Sequence, residues 1–329
     1  MTALADQRDG RPLVLITDCD HPDVQIEQAV FTAAGLRVLL GHCRSEDDVL
    51  AAGYGAVALL VQYAPVTAGV LTGLPGCLVV GRYGAGLDTI DVAAAHARGV
   101  AIVSVPDYAV QEVSDHTIAL ILSLCRGIDS YARNVRSGHW DLRAQGQLHR
   151  LSTLRLGVLG LGRIGQAVAR KAAALGFDVV GCDIVPPGNS AVPVLTMAEL
   201  LATSDVVTLH LPLSAETFHL IDATRLATMR PTAVLVNTSR GGLVDQIALG
   251  QAISGGRLAG AALDVLEAEP PDPANPLLAD GRVVITPHVA FYSEESLAEL
   301  KRRAAEGIVA ELAARGAVPL IGDSVRQPG

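Results

Sequence analysis

The chain lacks the features that mark membrane, secreted and nucleic-acid-binding proteins. None of its apolar runs reaches the roughly 18 residues that a membrane span requires. Asp6, Arg8, Asp9 and Arg11 stand where the apolar part of a signal segment would have to begin. The basic residues are dispersed and the net charge is −9, which argues against a phosphate-backbone partner. We therefore expect a cytoplasmic protein that binds neither membrane nor nucleic acid.

Cysteine and aromatic residues are also scarce. The five cysteines are scattered, with no C-x-x-C pair and no spacing typical of metal ligands. Reduced and mostly buried thiols are the simplest interpretation, and no metal site is expected. The only tryptophan, Trp140, falls in a polar segment.

The sequence does contain a repeated alternation of short apolar runs and helical stretches. A chain of 329 residues is long enough for two domains that each bury a core. One alternating series runs from Pro12 to Val103, and a second begins at Leu154. This spacing is typical of parallel, doubly wound sheets. We therefore predict an α/β protein with two doubly wound parallel-sheet domains.

The order of the elements predicts that one domain is inserted in the other. A helix over about 111–135 precedes the second series, and a final helix over about 294–314 follows it. If the final helix packs on the first sheet, residues 1–104 plus 290–329 form a flavodoxin-like substrate domain, and residues 105–289 form an inserted Rossmann-type nucleotide-binding domain. The segment 126–150 has no strand of its own to complete, and we expect it to wrap a second subunit in a homodimer.

A glycine pattern predicts a dinucleotide site. Gly160, Gly162 and Gly165 form a G-x-G-x-x-G pattern that follows an apolar strand and opens a helix. In this context the glycines permit a tight turn, the approach of a pyrophosphate and close helix packing. A turn without a ligand is the alternative. The next strand, 178–182, ends in Asp183, an acidic residue that accepts hydrogen bonds from a ribose 2′-hydroxyl and repels a 2′-phosphate. NAD rather than NADP is predicted.

Three later segments, VNTSRGGLVD, ALDVLEAEP and ITPHVAFYSEES, supply polar residues at the ends of strands. Arg240 has the planar donor fork that suits a carboxylate. His288 can exchange a proton with a carbonyl oxygen, and Glu269 can pair with the imidazole and favour its charged form. Taken singly, the arginine could be a solvated surface charge, the histidine a packed imidazole and the glutamate part of a loop.

The joint pattern resembles the D-2-hydroxyacid dehydrogenase family, which includes phosphoglycerate, glycerate and D-lactate dehydrogenases. The matching motifs are GRYGAGLDTID, GLGRIG, Asp183, HLPL, NTSRGGLVD, LDVLEAEP and TPH, in the family's order. Two stretches, TPHVAFYSEES and VPDYAVQEVSDHTIALIL, most resemble the branch that includes the C-terminal-binding-protein corepressors.

This resemblance implies an oxidoreductase that transfers a hydride between NAD(H) and C2 of a small D-2-hydroxy or 2-oxo acid, such as phosphoglycerate, glycerate or hydroxypyruvate. An NAD(H)-binding, dimeric, corepressor-like protein with little turnover is the alternative, and the short stretch after the last helix counts against it. A formate dehydrogenase is disfavoured because Glu269 stands where that chemistry is associated with glutamine.

The resemblance also implies site residues. Arg240 would orient the substrate, His288 would be the acid/base with Glu269 as its partner, and Asp264 would hold the nicotinamide carboxamide. The expected cofactor contacts are Gly160, Gly162, Arg163, Ile164, Gly165, Asp183, His210, Leu211, Pro212, Thr238, Ser239 and Asp264. The expected substrate contacts are Gln62, Tyr63, Arg82, Tyr83, Gly84, Arg240, His288 and Phe291. Gln62 and Tyr63 bring no positive charge, which counts against a phosphorylated substrate.

Overall fold

The computed structural model describes residues 10–143, 147–185, 187–188 and 192–318. Its contacts divide the chain into two units: unit 1 comprises residues 1–108 and 293–329, and unit 2 comprises residues 109–292. The predicted boundaries at 104/105 and 289/290 differ from these by four and three residues. The parts of the predicted first domain at 1–9 and 319–329 lie outside the described residues.

The strands and helices follow the predicted alternation. Within the described ranges the strands are β1 (Leu13–Ile16), β2 (Arg37–Leu40), β3 (Ala56–Val61), β4 (Val79–Arg82), β5 (Ala101–Val103), β6 (Arg155–Leu159), β7 (Asp178–Cys182), β8 (Val206–Leu209), β9 (Val234–Asn237), β10 (Gly260–Leu263) and β11 (Val283–Ile285). The α-helices are α1 (Gln25–Ala33), α2 (Glu46–Ala52), α3 (Ala68–Gly73), α4 (Val92–Ala97), α5 (Val110–Arg126), α6 (Ile128–Arg136), α7 (Arg163–Ala174), α8 (Met197–Thr203), α9 (Ala223–Thr228), α10 (Gln246–Ser254), α11 (Pro276–Ala279) and α12 (Glu294–Ala314).

Unit 1 is built on a parallel sheet with the strand order β2-β1-β3-β4-β5. Successive side chains of a strand point to opposite faces, so Val14 packs with Ile308 of α12 on one face, and Leu15 packs with Val49 of α2 on the other. Helices cover both faces, which explains why the strands are apolar throughout. The final helix, α12, packs on the sheet of unit 1, as expected from the element order.

Unit 2 is built on a second parallel sheet, with the order β11-β10-β9-β8-β6-β7. One face packs against α5 and α7 through side chains such as Ile121 and Val168, and the other packs Leu235 against Leu249 of α10. The carboxyl ends of these parallel strands meet at one edge of the sheet. The order reverses between β6 and β8, which is the switch point where doubly wound sheets bind ligands.

The predicted long helix over 111–135 is wrong in one respect, because it is broken at Gly127. This glycine adopts the left-handed conformation, with φ of 61°, and its NH bonds to the carbonyls of Leu124 and Ser123, which ends α5. The chain then restarts as α6, which buries none of its residues. Within the segment 126–150, Arg126 ends α5 and nine further residues form α6.

The sequence predicts no membrane span, no metal site and reduced cysteines, and each prediction concerns residues that the structure describes in large part. There, no helix combines the length and apolar character needed to cross a membrane. No group of three or more His, Cys, Asp or Glu side chains in the described ranges could hold a metal ion. All five cysteines are free thiols. Burial raises the pKa of Cys77 and of Cys125 to about 11, so both thiols are protonated near neutrality.

Candidate functional site

The glycine turn joins β6 to α7 at the switch point of unit 2. Gly160 has φ of 92° and lies against the carbonyl of His210, and Gly165 packs on the carbonyl of Gly160, so a Cβ at either position would clash with backbone. A Cβ at Gly162 would meet no protein atom within 4 Å, so protein packing does not require that glycine. Arg163 and Ile164 begin α7, where the amides of the first turn have no partner within the helix. This cradle fits a pyrophosphate.

Asp183 follows β7 beside this turn. One carboxylate oxygen, Oδ2, accepts a hydrogen bond from the Leu161 NH at 2.7 Å, and Oδ1 accepts one from the Val185 NH at 3.0 Å. A carboxylate has about four lone-pair sites, so both oxygens retain capacity for hydroxyl donors. The half-buried negative charge next to the glycine turn fits a ribose diol better than a 2′-phosphate.

The loops after β8 and β9 are tied to the same edge of the sheet. The His210 NH bonds to the Leu159 carbonyl at 2.7 Å, which holds the segment His210-Leu211-Pro212 along the glycine turn. Burial lowers the pKa of His210 to about 3, so its ring is neutral. The Ser239 hydroxyl donates to the Leu209 carbonyl at 2.7 Å, and the Thr238 hydroxyl lies 2.9 Å from that of Thr117 on α5. These predicted cofactor residues are therefore held by neighbouring backbone and by α5.

His288 and Glu269 form a hydrogen-bonded pair in the loops that follow β11 and β10. The Nδ1 of His288 lies 2.6 Å from Oε2 of Glu269, and Oε1 accepts from the Leu266 NH at 2.8 Å. Burial raises the pKa of Glu269, but hydrogen bonds from His288 and the Leu266 NH, with the charge of Arg240, outweigh it and lower the pKa. Because an ionised carboxylate only accepts, Nδ1 carries the proton in this bond. The second ring nitrogen, Nε2, is left for a reactant.

The backbone of His288 is held in an uncommon conformation. Its φ is 53°, in the left-handed region, where a side chain with a Cβ is strained. The His288 NH bonds to the Asp264 carbonyl at 2.8 Å, which compensates part of that strain. The Phe291 ring packs edge-on to the imidazole with 6.4 Å between ring centroids. Such strain is found most often at functional sites.

The loop that carries Arg240 packs closely against the loop that leads to Glu269. A Cβ on Gly241 would clash with the backbone of Leu266 and Glu267, so only glycine lets the loop after β9 contact the loop after β10. The Arg240 side chain donates from Nη1 to the Ser239 carbonyl at 2.8 Å. The structure thus brings Arg240, Glu269 and His288 to one edge of the unit 2 sheet.

Asp264 organises the loop that carries His288. It is 2% exposed, and its oxygens accept hydrogen bonds from the NH groups of Val289 and Ala290 and from the Thr286 hydroxyl at 3.0, 2.9 and 2.5 Å. The His116 ring lies 3.0 Å from the Thr286 hydroxyl. Sequence reasoning assigned no role to Thr286 or His116. The position of Thr286, two residues before His288, is the signal that could have identified it.

In unit 1, the predicted substrate residues Gln62 and Tyr63 follow β3. The buried carboxylate of Asp18 accepts from the NH groups of Gln62 and Tyr63, at 3.2 and 2.7 Å, and from the NH of Ala64. Asp20 bonds to the Gln62 amide, and its Oδ2 accepts from the Tyr63 hydroxyl at 3.2 Å. Sequence reasoning missed both aspartates, although acidic residues in the loop that follows a strand such as β1 are a recognisable signal.

The predicted residues Arg82, Tyr83 and Gly84 lie at the end of β4. Tyr83 is buried, and its hydroxyl donates to Oε1 of Glu27 at 2.6 Å. Lys301 of α12 lies 3.6 Å from the other oxygen of this buried glutamate. Gly84 has φ of 123°, a conformation that only glycine adopts readily. The turn is therefore held in place by the contacts of Tyr83 with Glu27 of α1 and of Glu27 with Lys301 of α12.

Comparison with a protein family agrees with the geometry of unit 2. Residues 118–290 match the family described as "D-isomer specific 2-hydroxyacid dehydrogenase, NAD binding domain". This match includes the glycine turn, Asp183 and the Arg240, Glu269 and His288 group. The cradle at Gly162 and the carboxylate of Asp183 are the features of the chain that suit such a cofactor.

The chain is also similar to individual enzymes. It is 34% identical to the glycerate dehydrogenase of Methylorubrum extorquens, over 82% of this chain and 87% of that protein. It is 39% identical to the D-3-phosphoglycerate dehydrogenase of Mycobacterium bovis, over 87% of this chain but 54% of that protein, so it spans about half the length of that relative. The structure of D-lactate dehydrogenase from Aquifex aeolicus, complexed with NAD and lactic acid, matches with a TM-score of 0.81 and 27% identity, covering 96% of this chain and 100% of that one.

Proposed function

The chain belongs to the D-isomer specific 2-hydroxyacid dehydrogenase family, and from this premise we propose that it transfers a hydride between NAD(H) and C2 of a small D-2-hydroxy or 2-oxo acid. The observation that carries the proposal is the hydrogen-bonded pair of His288 and Glu269, with the charge of Arg240 acting on Glu269, in the unit that matches the NAD-binding family. These groups suit proton transfer to an oxygen and binding of a carboxylate.

In the proposed reduction, bound NADH supplies the hydride that reaches C2. His288 gives the Nε2 proton to the carbonyl oxygen of the substrate and becomes neutral, and in oxidation it takes that proton back. Glu269 holds Nδ1 and stabilises the imidazolium at the start of reduction. Arg240 binds the substrate carboxylate through its donor fork and so fixes which carbon receives the hydride.

The other predicted contacts are part of the same proposal. Asp183 would accept hydrogen bonds from the adenosine ribose, the cradle at Gly162 would bind the pyrophosphate, and Asp264 would place the nicotinamide carboxamide. Asp264 also holds the Val289 and Ala290 amides, so its role toward the cofactor and its role in shaping the loop are linked. Gln62, Tyr63, Arg82, Tyr83, Gly84 and Phe291 are proposed to contact the substrate.

Steady-state kinetics test this function. A panel of short 2-oxo acids with NADH should show turnover, and His288→Ala should lower kcat by about 10²- to 10⁴-fold, the usual contribution of a general acid. His219→Ala is a matched control, because His219 pairs with Glu267 at 2.9 Å in the same unit. Tight NADH binding without turnover of any acid would favour the corepressor-like alternative instead.

We also propose a homodimer formed through the segment 126–150, and a cytoplasmic location. Trp140 and Leu142 are 91% and 86% exposed, and α6 buries none of its residues. A cavity of about 740 Å³, lined by Ser123, Gly127 and Arg133 among others, lies at the amino-terminal ends of the unit 2 strands. The segment 126–150 thus carries large exposed apolar side chains and also lines a cavity, and both are features that a second copy of the chain would cover.

A further inference from the structure

The loops at the switch point of the first sheet carry an excess of negative charge. The strand order reverses between β1 and β3, and ligands of doubly wound sheets bind outside the carboxyl ends of strands at such a point. The loops that follow these strands, residues 17–24 and 62–67, contain three aspartates and no lysine or arginine. A ligand at this edge of unit 1 therefore meets acidic loops.

The three aspartates differ in the exposure of their carboxylates and in the partners they already have. Asp18 is 4% exposed and is occupied by the amides of residues 62–64. Asp23 lies 3.3 Å from the ammonium group of Lys301. The side chain of Asp20 is 58% exposed, against 48% for Asp23, and lies four residues after the end of β1. Asp20 is thus the most exposed of the three carboxylates.

Asp20 is fixed to the two residues after β3 that are proposed to contact the substrate. Its NH donates to the Gln62 side-chain oxygen at 2.9 Å, its Oδ1 accepts from the Gln62 amide nitrogen, and its Oδ2 accepts from the Tyr63 hydroxyl at 3.2 Å. Two hydrogen bonds hold the carboxylate and a third holds the backbone of the same residue, so the negative charge is fixed in position beside Gln62 and Tyr63.

The titratable groups near Asp20 offset the negative charge of its carboxylate only in part. His21 lies 3.4 Å from Asp20, but burial lowers the pKa of His21 more than the aspartate raises it, so the ring is neutral near pH 7. Burial and the charge of Asp20 raise the pKa of Tyr63, so its hydroxyl stays protonated. Two cations act on these side chains: Arg82, at the end of β4, acts weakly on Tyr63, and Lys301 of α12 acts on His21.

We propose that Asp20 is a specificity-determining residue that selects 2-oxo acids with a neutral, hydrogen-bonding distal group, such as a hydroxyl, over those with a phosphate there. A fixed carboxylate repels a phosphate dianion and accepts a hydrogen bond from a hydroxyl. This inference rests on the proposed function and narrows its substrate class to short, unphosphorylated 2-oxo acids.

The test compares two substrates that differ by one phosphate, hydroxypyruvate and 3-phosphohydroxypyruvate, in the full-length chain with NADH. The wild-type chain should have the higher kcat/KM for hydroxypyruvate. Asp20→Asn should raise the relative kcat/KM for the phosphorylated substrate by about five- to tenfold, the effect of removing one screened like charge a few ångströms away. Asp20→Glu, which keeps the charge, should retain the wild-type preference.

Asp47→Asn is the matched control, because it removes the same charge from an exposed site on α2 of the same unit and should leave the ratio unchanged. A wild-type preference for the phosphorylated substrate, or an equal effect of Asp20→Asn on both substrates, would overturn the inference while the dehydrogenase function stands. Absence of turnover with both substrates, and with the wider panel, would overturn the proposed function itself.

Discussion

Replacement of Glu269 by glutamine should change the pH dependence of catalysis in a defined direction. Glu269 has a lowered pKa and is therefore a carboxylate across the working pH range. Its charge favours the imidazolium of His288, 2.6 Å away, which is the form that donates a proton during reduction. Glutamine keeps the size of the side chain but removes the charge. The proton donor is then lost at a lower pH, so the alkaline limb of kcat/KM for reduction should move toward acid.

The size of this change follows from the geometry of the pair. A hydrogen bond between charged groups contributes about 1.5–3 kcal/mol, and solvent screening reduces this for side chains that are 37% and 36% exposed. A remainder of about 1–2 kcal/mol corresponds to a shift of about one pH unit. In the oxidation direction the base form of His288 is required, so the acidic limb of kcat/KM for oxidation should also move toward lower pH.

The assay is kcat/KM from pH 5 to pH 10 in both directions, with Glu267→Gln as the control. Glu267 pairs with His219 at 2.9 Å, two residues from Glu269 in sequence and similarly exposed, so its replacement should leave both profiles unchanged. Superimposable profiles for wild type and Glu269→Gln, or a shift toward alkaline pH, would refute the assigned roles of Glu269 and His288.

Three further predictions concern the cofactor, the core and the assembly. Asp183→Ala should weaken NADH binding by about tenfold through loss of charged hydrogen bonds while NADPH binding improves, as measured by fluorescence titration; equal affinity of the wild type for both cofactors would contradict it. Lys301→Met should cost about 3–5 kcal/mol of unfolding free energy at pH 8. Because burial raises the pKa of Glu27 and the positive charge of Lys301 opposes that rise, the cost should shrink as the pH falls and Glu27 takes up a proton. Equal losses in urea unfolding at pH 8 and at acidic pH would disprove this account. Trp140→Ser should weaken a dimer detected by sedimentation, and a monomeric wild type at micromolar concentration with NADH present would exclude that assembly.

The local elements were predictable because their signals lie close together along the chain. The glycine turn at Gly160 and the bounds of α12 follow from periodicity and turn chemistry within a few residues. The break at Gly127 was also local, but the apolar spacing continues across it and conceals the left-handed cap. Residue types alone indicated a proton donor, a carboxylate partner and a carboxylate binder, although each type has common structural roles.

The sequence by itself determined the element types and the inventory of chemical groups, because backbone conformation and side-chain periodicity depend on near neighbours. Only the tertiary structure decided which groups meet. The order β11-β10-β9 places the loops that carry His288, Glu269 and Arg240 side by side, and the contact of Gly241 with Leu266 sets their approach. The pairing of Asp20 with Gln62 joins residues 42 positions apart. Such contacts depend on strand order and loop packing, which no local pattern encodes.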